Sequence, residues 1–358
     1  MIPLCYTDHI RYMGGISMKY PFDPISVACA SGSHVQGIAV DAQRQHLYFS
    51  FTTCLVKTDM AGNLIGSVTG LAGHLGCIAY NYENGKVYGS LEFKQDAIGK
   101  GILANLGSNR TLRDGFYAVI FDAEKITRPD MDAERDGVMT AVYLDEVYRD
   151  YAFPGHRHGC SGIDGTTFAP AFGCDSGKQY LYIAYGIYGD TQRSDNDCQV
   201  LLQYDISAWD QYAQPLNQAH MHRSGPEKPD AKLFLHTANT TYCIQNLEYD
   251  PVTRTMLCAV YPGKKPQYPN YPMYFIDCTQ PPRDGQLTLA PLGECHQATG
   301  ICGCRFPLGS TGIATLGDGC FYISTPWEKP GCFGSSVRAY RFHPETAEFS
   351  IIEREETL

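Results

Sequence analysis

The sequence predicts an all-β protein, a β-propeller of five four-stranded blades, with six or seven blades as alternatives. Five times along the 358 residues, an apolar strand that ends in Gly-Ile-Ala or a close variant is followed by a short turn and an aromatic-rich strand. Such recurrence without long helices is typical of architectures that repeat around an axis. The five first strands begin at His34, His74, His158, Tyr242 and Gly309.

The segments after each first strand keep a regular order, which makes the repeat a four-stranded unit. Several third strands end in Asp before a polar turn, and the fourth strands contain enough β-branched or aromatic residues to form sheet. Second strands are expected at residues 46–50, 86–90, 180–185, 255–260 and 320–325, third strands at 55–59, 116–122, 200–205, 273–277 and 337–342, and fourth strands at 63–68, 139–144, 232–236, 286–290 and 348–352.

The two ends of the chain offer alternative ways of closing the ring. Residues 16–20 are a candidate outer strand of the last blade; alternatively they belong to a cap, and residues 348–352 take that outer position. We therefore divide the chain into residues 1–33, a closing strand or cap, and residues 34–358, a single propeller domain. A propeller exceeds the usual domain size because it repeats around one axis.

Composition and charge argue against several classes of partner. The net charge is −10 and there is no basic run, which disfavours nucleic acid and anionic membranes. No stretch approaches the apolar length of a membrane span. No glycine-rich nucleotide motif occurs in a strand-to-helix context, so we expect no nucleotide cofactor. The N-terminal residues lack the apolar core of a secretory signal, which predicts a cytoplasmic protein.

Fifteen cysteines are spread over this large chain, many at strand positions. A reduced thiol in a strand behaves as a small buried hydrophobe, so we expect Cys77, Cys258 and Cys320 to be buried and reduced. The densest group, Cys295, Cys302 and Cys304, lacks the paired spacing of a structural zinc site, although a metal there is an alternative.

Long loops indicate which face carries the site. The connections from second to third strands are long, whereas those on the opposite face are tight turns. Binding sites are usually built on such loops above a regular scaffold. The alternative is that these loops only cover the channel or contact another subunit. The oligomeric state is left open.

Histidines at the starts of the inner strands suggest a metal centre. Alignment of the repeats puts His34 and His74 at one position, with His158 displaced by one residue, and places Gln36 level with Gln245. Neutral imidazole binds divalent transition metals, so His34, His74, His158 and Gln245 are candidate ligands. The alternative is that each histidine caps its own strand end.

Polar residues on the same face are candidates for contact with a small polar substrate. A carboxylated or hydroxylated molecule would pair with such a mixed set of charges, although solvated loop charge is the alternative for each residue. The candidates are Gln36, Glu92, Lys94, Asp190, Arg193, Lys264, Trp327 and Glu328.

Short strings resemble known propeller families. Gly-Ile-Ala-Val-Asp at residues 37–41 looks like the blade starts of lactonase and NHL-type propellers, and the histidines with Gln245 resemble the metal centre of uronate-lyase propellers. Furanosidase-type glycoside hydrolases are five-bladed propellers whose chemistry rests on axial carboxylates; the inner strands offer Asp164 and Glu248, without the usual third acid. These resemblances imply the fold more firmly than an activity.

Two functions follow as expectations. The first is an enzyme, a metal-assisted lyase or hydrolase that acts on a carbohydrate or sugar acid, in which Tyr or Lys moves the proton. The second is a binding or protein-interaction propeller without catalysis. A deep pocket favours the enzyme, and a flat aromatic face favours the binding protein.

Overall fold

The computed structural model describes residues 24–29, 34–174, 177–330 and 332–353. The chain folds into five antiparallel blades around one axis, which confirms the predicted five-bladed β-propeller. The innermost strands contact one another in cyclic order, and the last contacts the first. Within the described residues, no helix is long and apolar enough to cross a membrane.

Each blade is an antiparallel sheet that runs outward from the axis. The first described strand, β1 (Ile25–Cys29), belongs to the last blade. Blade 1 contains β2 (Val35–Val40), β3 (His46–Phe51), β4 (Cys54–Asp59) and β5 (Leu64–Thr69). Blade 2 contains β6 (His74–Asn81), β7 (Lys86–Phe93), β8 (Gly115–Asp122) and β10 (Met139–Tyr143), while the short β9 (Met131–Asp132) pairs with β5.

The remaining blades follow the same plan with more variation. Blade 3 contains β11 (Cys160–Ala169), β12 (Tyr180–Ile187), β13 (Cys198–Tyr204) and β14 (Ala231–His236). Blade 4 contains β15 (Thr241–Asp250), β16 (Thr255–Tyr261) and β17 (Met273–Asp277). Blade 5 contains β20 (Ile313–Thr315), β21 (Cys320–Lys329), β22 (Cys332–His343) and β23 (Glu348–Ile351).

Among the described residues, helices occur only in the connections between strands. The α-helix α1 (Ala97–Asn105) follows β7, and α2 (Asp145–Ala152) follows β10. Short 3₁₀ helices span Arg157–Gly159 and Ile206–Gln211. The Asp96 side chain accepts a hydrogen bond from the Gly99 amide, which satisfies one of the unpaired donors at the start of α1.

The hydrophobic core consists of five layers, each between two neighbouring blades. Tyr48 and Val87 share the layer between blades 1 and 2, whereas Val27 and Tyr322 contribute to the layer that joins blade 5 to blade 1. Because both faces of every sheet are covered in this way, the inner strands are buried on both sides. The aromatic-rich strands therefore fit a radial arrangement.

Both ends of the chain share the outer edge of blade 5, and residues 348–351 take part of that edge, as one of the two alternatives has it. β1 pairs with one half of β22, from Ile25 opposite Val337 to Cys29 opposite Phe333. β23 pairs with the other half of the same long strand. The predicted strand at residues 16–20 lies outside the described residues. In blade 4, the strand expected at residues 286–290 is reduced to isolated bridges such as Ile276 with Leu289.

The cysteines follow the prediction in part. Cys77, Cys258 and Cys320 are buried at 1%, 0% and 0% exposure, and none of the three is in a disulfide. Cys295 and Cys302 form a disulfide that joins β18 (Glu294–Cys295) to β19 (Cys302–Gly303). Two of the three cysteines in this group are therefore bonded to each other and are not thiolate ligands for a metal.

Candidate functional site

A pocket of about 160 Å³ lies at the axis, where the inner strands begin. Side chains of blades 1 to 4 and one residue of α1 form its wall, and the long loops lie on this face. The lining residues are His34, Gln36, His74, Glu92, Lys94, Ile98, Ser161, Ile163, Asp164, Gly186, Tyr242, Gln245 and Tyr261. The pocket thus gathers predicted site residues from blades 1, 2 and 4.

Glu92 enters the pocket from the end of β7 and lies against blade 3. It is 4% exposed, and its Oε2 accepts a hydrogen bond of 2.8 Å from the backbone amide of Ile163. Gly162 makes this approach possible, because a Cβ there would lie 1.7 Å from Glu92 Oε2. The φ of Gly162 is +131°, a conformation that also favours glycine.

Lys94 neutralises this carboxylate. Its Nζ lies 2.5 Å from Glu92 Oε1 and 3.7 Å from Asp96 Oδ2, and it donates a 2.7 Å hydrogen bond to the Ser161 carbonyl. Burial raises the pKa of Glu92, and the Lys94 charge opposes that rise. Burial lowers the pKa of Lys94, but Glu92 and Asp96 raise it by more, so the lysine stays charged.

Asp164 is the second buried carboxyl, and its surroundings favour the protonated form. The residue is 7% exposed, and its Oδ1 finds no hydrogen-bond partner among the described residues. Burial raises the pKa of Asp164 well above its ordinary value, and the negative charge of Glu92 raises it further. Glu92 therefore loses its proton before Asp164, so one carboxylate and one carboxylic acid share the pocket.

Two neutral histidines complete the polar wall. Burial, followed by the Lys94 charge, lowers the pKa of His74 to about 3, and burial lowers the pKa of His34. His34 Nε2 lies 3.3 Å from the Tyr261 hydroxyl, whereas His74 Nδ1 is buried with no hydrogen-bond partner in the described structure. Uncharged imidazoles can donate or accept hydrogen bonds to a bound ligand.

The structure separates His158 from the other predicted metal ligands. His34, His74 and Gln245 line the pocket, but His158 does not. It lies in a 3₁₀ turn with φ of +57°, and its ring packs 5.1 Å from that of Phe234 on the outer strand of blade 3. Across the described ranges, no group of three His, Cys, Asp or Glu side chains is arranged to hold a metal ion.

The predicted substrate contacts divide into two sets. Gln36, Glu92 and Lys94 line the pocket, whereas Asp190, Arg193, Lys264, Trp327 and Glu328 do not.

Arg193 and Lys264 illustrate why the second set lies outside the pocket. Arg193 pairs with Asp195 at 2.7 Å and donates to the His156 carbonyl, so its charge is used within its own loop. Lys264 is exposed, and the neighbouring Lys265 is the buried residue. Neither feature can be read from loop sequence, because it depends on which carbonyls and carboxylates the loop folds onto.

Sequence reasoning missed Tyr261 and Gly186, although the repeat contains a signal for them. Ser90, Ala184 and Ala259 are small residues at one aligned position of the second strands. The residues two positions further along are Glu92, Gly186 and Tyr261, and all three line the pocket. Alternate residues of a strand share a face, which explains the spacing.

No protein-family model matches the chain, and no curated protein matches it. Among solved structures, the Dos1 propeller is 12% identical over 91% of this chain and 59% of that chain, with a TM-score of 0.37, so the chain spans less than two thirds of its length. The periplasmic gluconolactonase of Pseudomonas aeruginosa is 9% identical over 89% of this chain and 71% of that chain, with a TM-score of 0.35.

A third similar structure is a GH43 β-1,3-galactosidase solved with galactodeoxynojirimycin. It is 12% identical over 90% of this chain and 95% of that chain, with a TM-score of 0.43. At such low identities and TM-scores, these likenesses carry no argument about activity. The chain is a five-bladed β-propeller on the evidence of its own strands.

Proposed function

We propose that the protein is an enzyme that hydrolyses the glycosidic bond of a small carbohydrate or sugar acid in the axial pocket. The observation that carries this proposal is the buried pair Glu92 and Asp164, whose surroundings push their pKa values apart. Most glycosidases use two carboxyl groups, one protonated and one ionised, on either side of the bond that breaks.

In the proposed reaction, Asp164 donates its proton to the glycosidic oxygen as the bond from that oxygen to the anomeric carbon breaks. Glu92 acts as the carboxylate, either by attacking the anomeric carbon or by taking a proton from the attacking water. Water supplies the hydroxyl group of the new sugar end. The remaining proton of that water returns the two carboxyl groups to their starting state, with one protonated and one ionised. Lys94 keeps Glu92 ionised.

The uncharged groups of the pocket would position the sugar hydroxyls. Gln245 Nε2 is already held by the Tyr242 carbonyl at 3.1 Å, which fixes the direction of its carboxamide. The buried Nδ1 of His74 and Oδ1 of Asp164 have no hydrogen-bond partner in the described structure, so each would gain one from a sugar hydroxyl. A buried polar atom without a partner is costly until a ligand pairs with it.

One contact favours a second candidate function, elimination from a uronate sugar. The Tyr261 hydroxyl and His34 lie within 3.3 Å. Such a pair can take a proton from the carbon next to the carboxylate and return it to the departing oxygen, which leaves a carbon–carbon double bond and consumes no water. The unsaturated product absorbs ultraviolet light, whereas the hydrolysis product does not.

A divalent metal remains part of the prediction, but no step of the proposed hydrolysis passes through it. His34, His74 and Gln245 would be its ligands, with Gln36 nearby. Elemental analysis of the purified protein, with H34A/H74A as the comparison, tests this prediction.

The proposed activity is tested with a panel of aryl glycosides, disaccharides and oligouronates, incubated with wild-type protein and with Asp164→Asn. Released sugar ends without ultraviolet absorbance support hydrolysis, and absorbance that depends on Tyr261 supports elimination. Sugar binding by calorimetry, with no product from any member of the panel, would instead identify a binding propeller.

A further inference from the structure

The axial pocket is a small cup with room for one small ring. Its volume of about 160 Å³ is below the roughly 300–1,000 Å³ of pockets that hold drug-sized ligands. Asn246 blocks the axis, because its side-chain amide donates to the Gln36 carbonyl at 2.8 Å and to the Ser310 carbonyl at 3.1 Å. A long carbohydrate therefore has no path through the channel.

Tyr242 stands at the rim of this cup. Its side chain is 39% exposed, and among the large exposed hydrophobic side chains of the described surface it alone lines the pocket. Tyr242 and Cys243 both have left-handed backbones, with φ of +57° and +56°. Consecutive non-glycine residues in that region are strained, and such strain is concentrated at functional sites.

The surrounding contacts hold this strained backbone in place. Gln245 Nε2 donates to the Tyr242 carbonyl, and the Thr240 hydroxyl contacts Cys243 Sγ at 3.1 Å. β15 also changes register against β16 at this point, between Thr241 and Ile244. The effect is to present an aromatic face beside the opening, next to the buried carboxyls.

We propose that the enzyme is exo-acting: one terminal sugar unit fills the cup, and Tyr242 stacks against the departing unit outside it. This inference rests on the proposed hydrolysis and adds the substrate class, which is the non-reducing end of a disaccharide or short oligosaccharide. The apolar face of the departing sugar packs on the ring, as aromatic side chains pack at other half-exposed sites. Tyr242 is then the residue that selects the departing group.

The test compares two substrates that share the sugar found active in the panel, a disaccharide and the corresponding glycosyl fluoride. For Tyr242→Ala we expect kcat/KM to fall about tenfold on the disaccharide, from the lost ring contact, and less than threefold on the fluoride, which lacks a second sugar. Tyr242→Phe should retain the wild-type ratio. Phe153→Ala, an exposed aromatic residue away from the pocket, is the matched control.

Each outcome decides one point. Equal losses on both substrates, or internal cleavage of an oligosaccharide, would overturn the exo arrangement while leaving hydrolysis in place. Calorimetry separates the two proposals. If no turnover occurs but Tyr242→Ala weakens the binding of the disaccharide and not of the monosaccharide, the proposed binding mode holds and the proposed hydrolysis is wrong. Absence of binding to all sugars would overturn both.

A separate observation concerns two cysteines at the ring closure. Cys29 ends β1, the strand that completes blade 5, and Cys54 begins β4 of blade 1; their Sγ atoms lie 2.6 Å apart. Both residues line a second cavity of about 580 Å³ beside blade 1, and a small reagent in it can reach Cys29, the partly exposed thiol of the two. Cys29 is half-buried, and Cys54 is buried.

We infer that Cys29 and Cys54 are an oxidation site, in which a small-molecule disulfide such as oxidised glutathione converts the two thiols into one disulfide. The Cys29 thiolate attacks the reagent and releases one thiol, and the Cys54 thiolate then attacks Cys29 Sγ and releases the second. The reagent is reduced to two thiols. The product joins the closing strand covalently to blade 1.

The test incubates wild-type protein with oxidised glutathione and measures its Tm and its disulfide-linked peptides by mass spectrometry. We expect a peptide that links Cys29 to Cys54 and a Tm increase of roughly 5 °C, both absent in Cys29→Ser and retained in Cys258→Ser. A stable glutathione adduct on Cys29, or a Tm increase that persists in Cys29→Ser, would overturn the site. A cytoplasmic location, which stays a prediction, would keep the pair reduced.

Discussion

The carboxylate of Glu92 accepts a 2.8 Å hydrogen bond from the backbone amide of Ile163, the residue that directly precedes Asp164. This contact crosses from blade 2 to blade 3 and brings two carboxyl groups from different repeats into one pocket. The Ser90 hydroxyl reinforces the junction, since it donates to the Asp164 carbonyl at 2.6 Å. The rigid packing between blades thus sets the spacing of the proposed acid and base.

Replacement of either carboxyl should separate activity from stability. We expect Glu92→Gln and Asp164→Asn each to reduce kcat/KM by about 10²- to 10⁴-fold, the usual contribution of general acid–base groups. Burial raises the folded-state pKa of Asp164, so its contribution to stability is complete at acid pH and is lost as pH rises through that pKa.

Asp164→Asn should therefore unfold at a Tm equal to or above that of the wild type at pH 7, as measured by calorimetry. Full activity in Asp164→Asn would remove the proposed acid. A large fall in its Tm would show instead that the carboxylate supports the fold.

The pH profile of activity should be bell-shaped and should depend on Lys94. Activity requires Glu92 ionised and Asp164 protonated, so the acidic limb reports the raised pKa of Glu92 and the alkaline limb the raised pKa of Asp164. The positive charge of Lys94 lowers the pKa values of both carboxyl groups. Lys94→Met should therefore move both limbs of kcat/KM to higher pH.

Lys265→Met is the matched control for that variant. Lys265 is also a buried lysine, 2.6 Å from Asp197 in another loop. Both variants leave a buried carboxylate without its partner, which typically costs about 3–5 kcal/mol of stability. Only Lys94→Met should shift the profile; equal shifts in both would trace the effect to loss of structure.

The fold could be predicted from the sequence because each repeat contains the same short-range information. Gly-Ile-Ala strands and aromatic second strands recur, and their order alone indicates a ring. The closure could not be predicted in the same way, since β1 and β23 each pair with only half of β22. That division depends on the length of β22, which a local pattern does not reveal.

The grouping of candidate residues in one pocket could be predicted where they lie at regular strand positions. His34, His74, Glu92 and Gln245 occupy such positions and meet in the pocket. His158 lies apart from this group because a left-handed turn before β11 directs it towards Phe234. The raised pKa of Asp164 could not be predicted, since it arises from burial beside a carboxylate of another blade.

Ring closure by β1 gives a prediction for stability. Ile25 is 3% exposed in the layer between blades 5 and 1, whereas Leu64 is 55% exposed. Ile25→Ala should lower the free energy of unfolding by about 2–5 kcal/mol, the usual cost of removing a buried aliphatic side chain. Leu64→Ala should change it by less than about 0.5 kcal/mol. Similar urea midpoints for both variants would show that β1 does not stabilise the ring.

Glu248 should make stability fall as pH rises towards 8. Its Oε1 accepts a 2.9 Å hydrogen bond from the Thr315 amide of blade 5, and burial raises its pKa from 4.5 to about 8. A raised folded-state pKa means that the stabilising contribution is complete below the unfolded pKa and is lost as pH rises through the folded pKa. Glu248→Gln keeps the accepting oxygen but cannot ionise.

Urea unfolding at a series of pH values measures this effect. The stability of Glu248→Gln relative to the wild type should increase from about pH 4.5 to about pH 8 and then become constant. Glu83→Gln, which changes an exposed glutamate, is the matched control for the loss of one carboxyl group. A constant difference between Glu248→Gln and the wild type across this range would mean that Glu248 ionises normally, with enough water in the channel to solvate its charge.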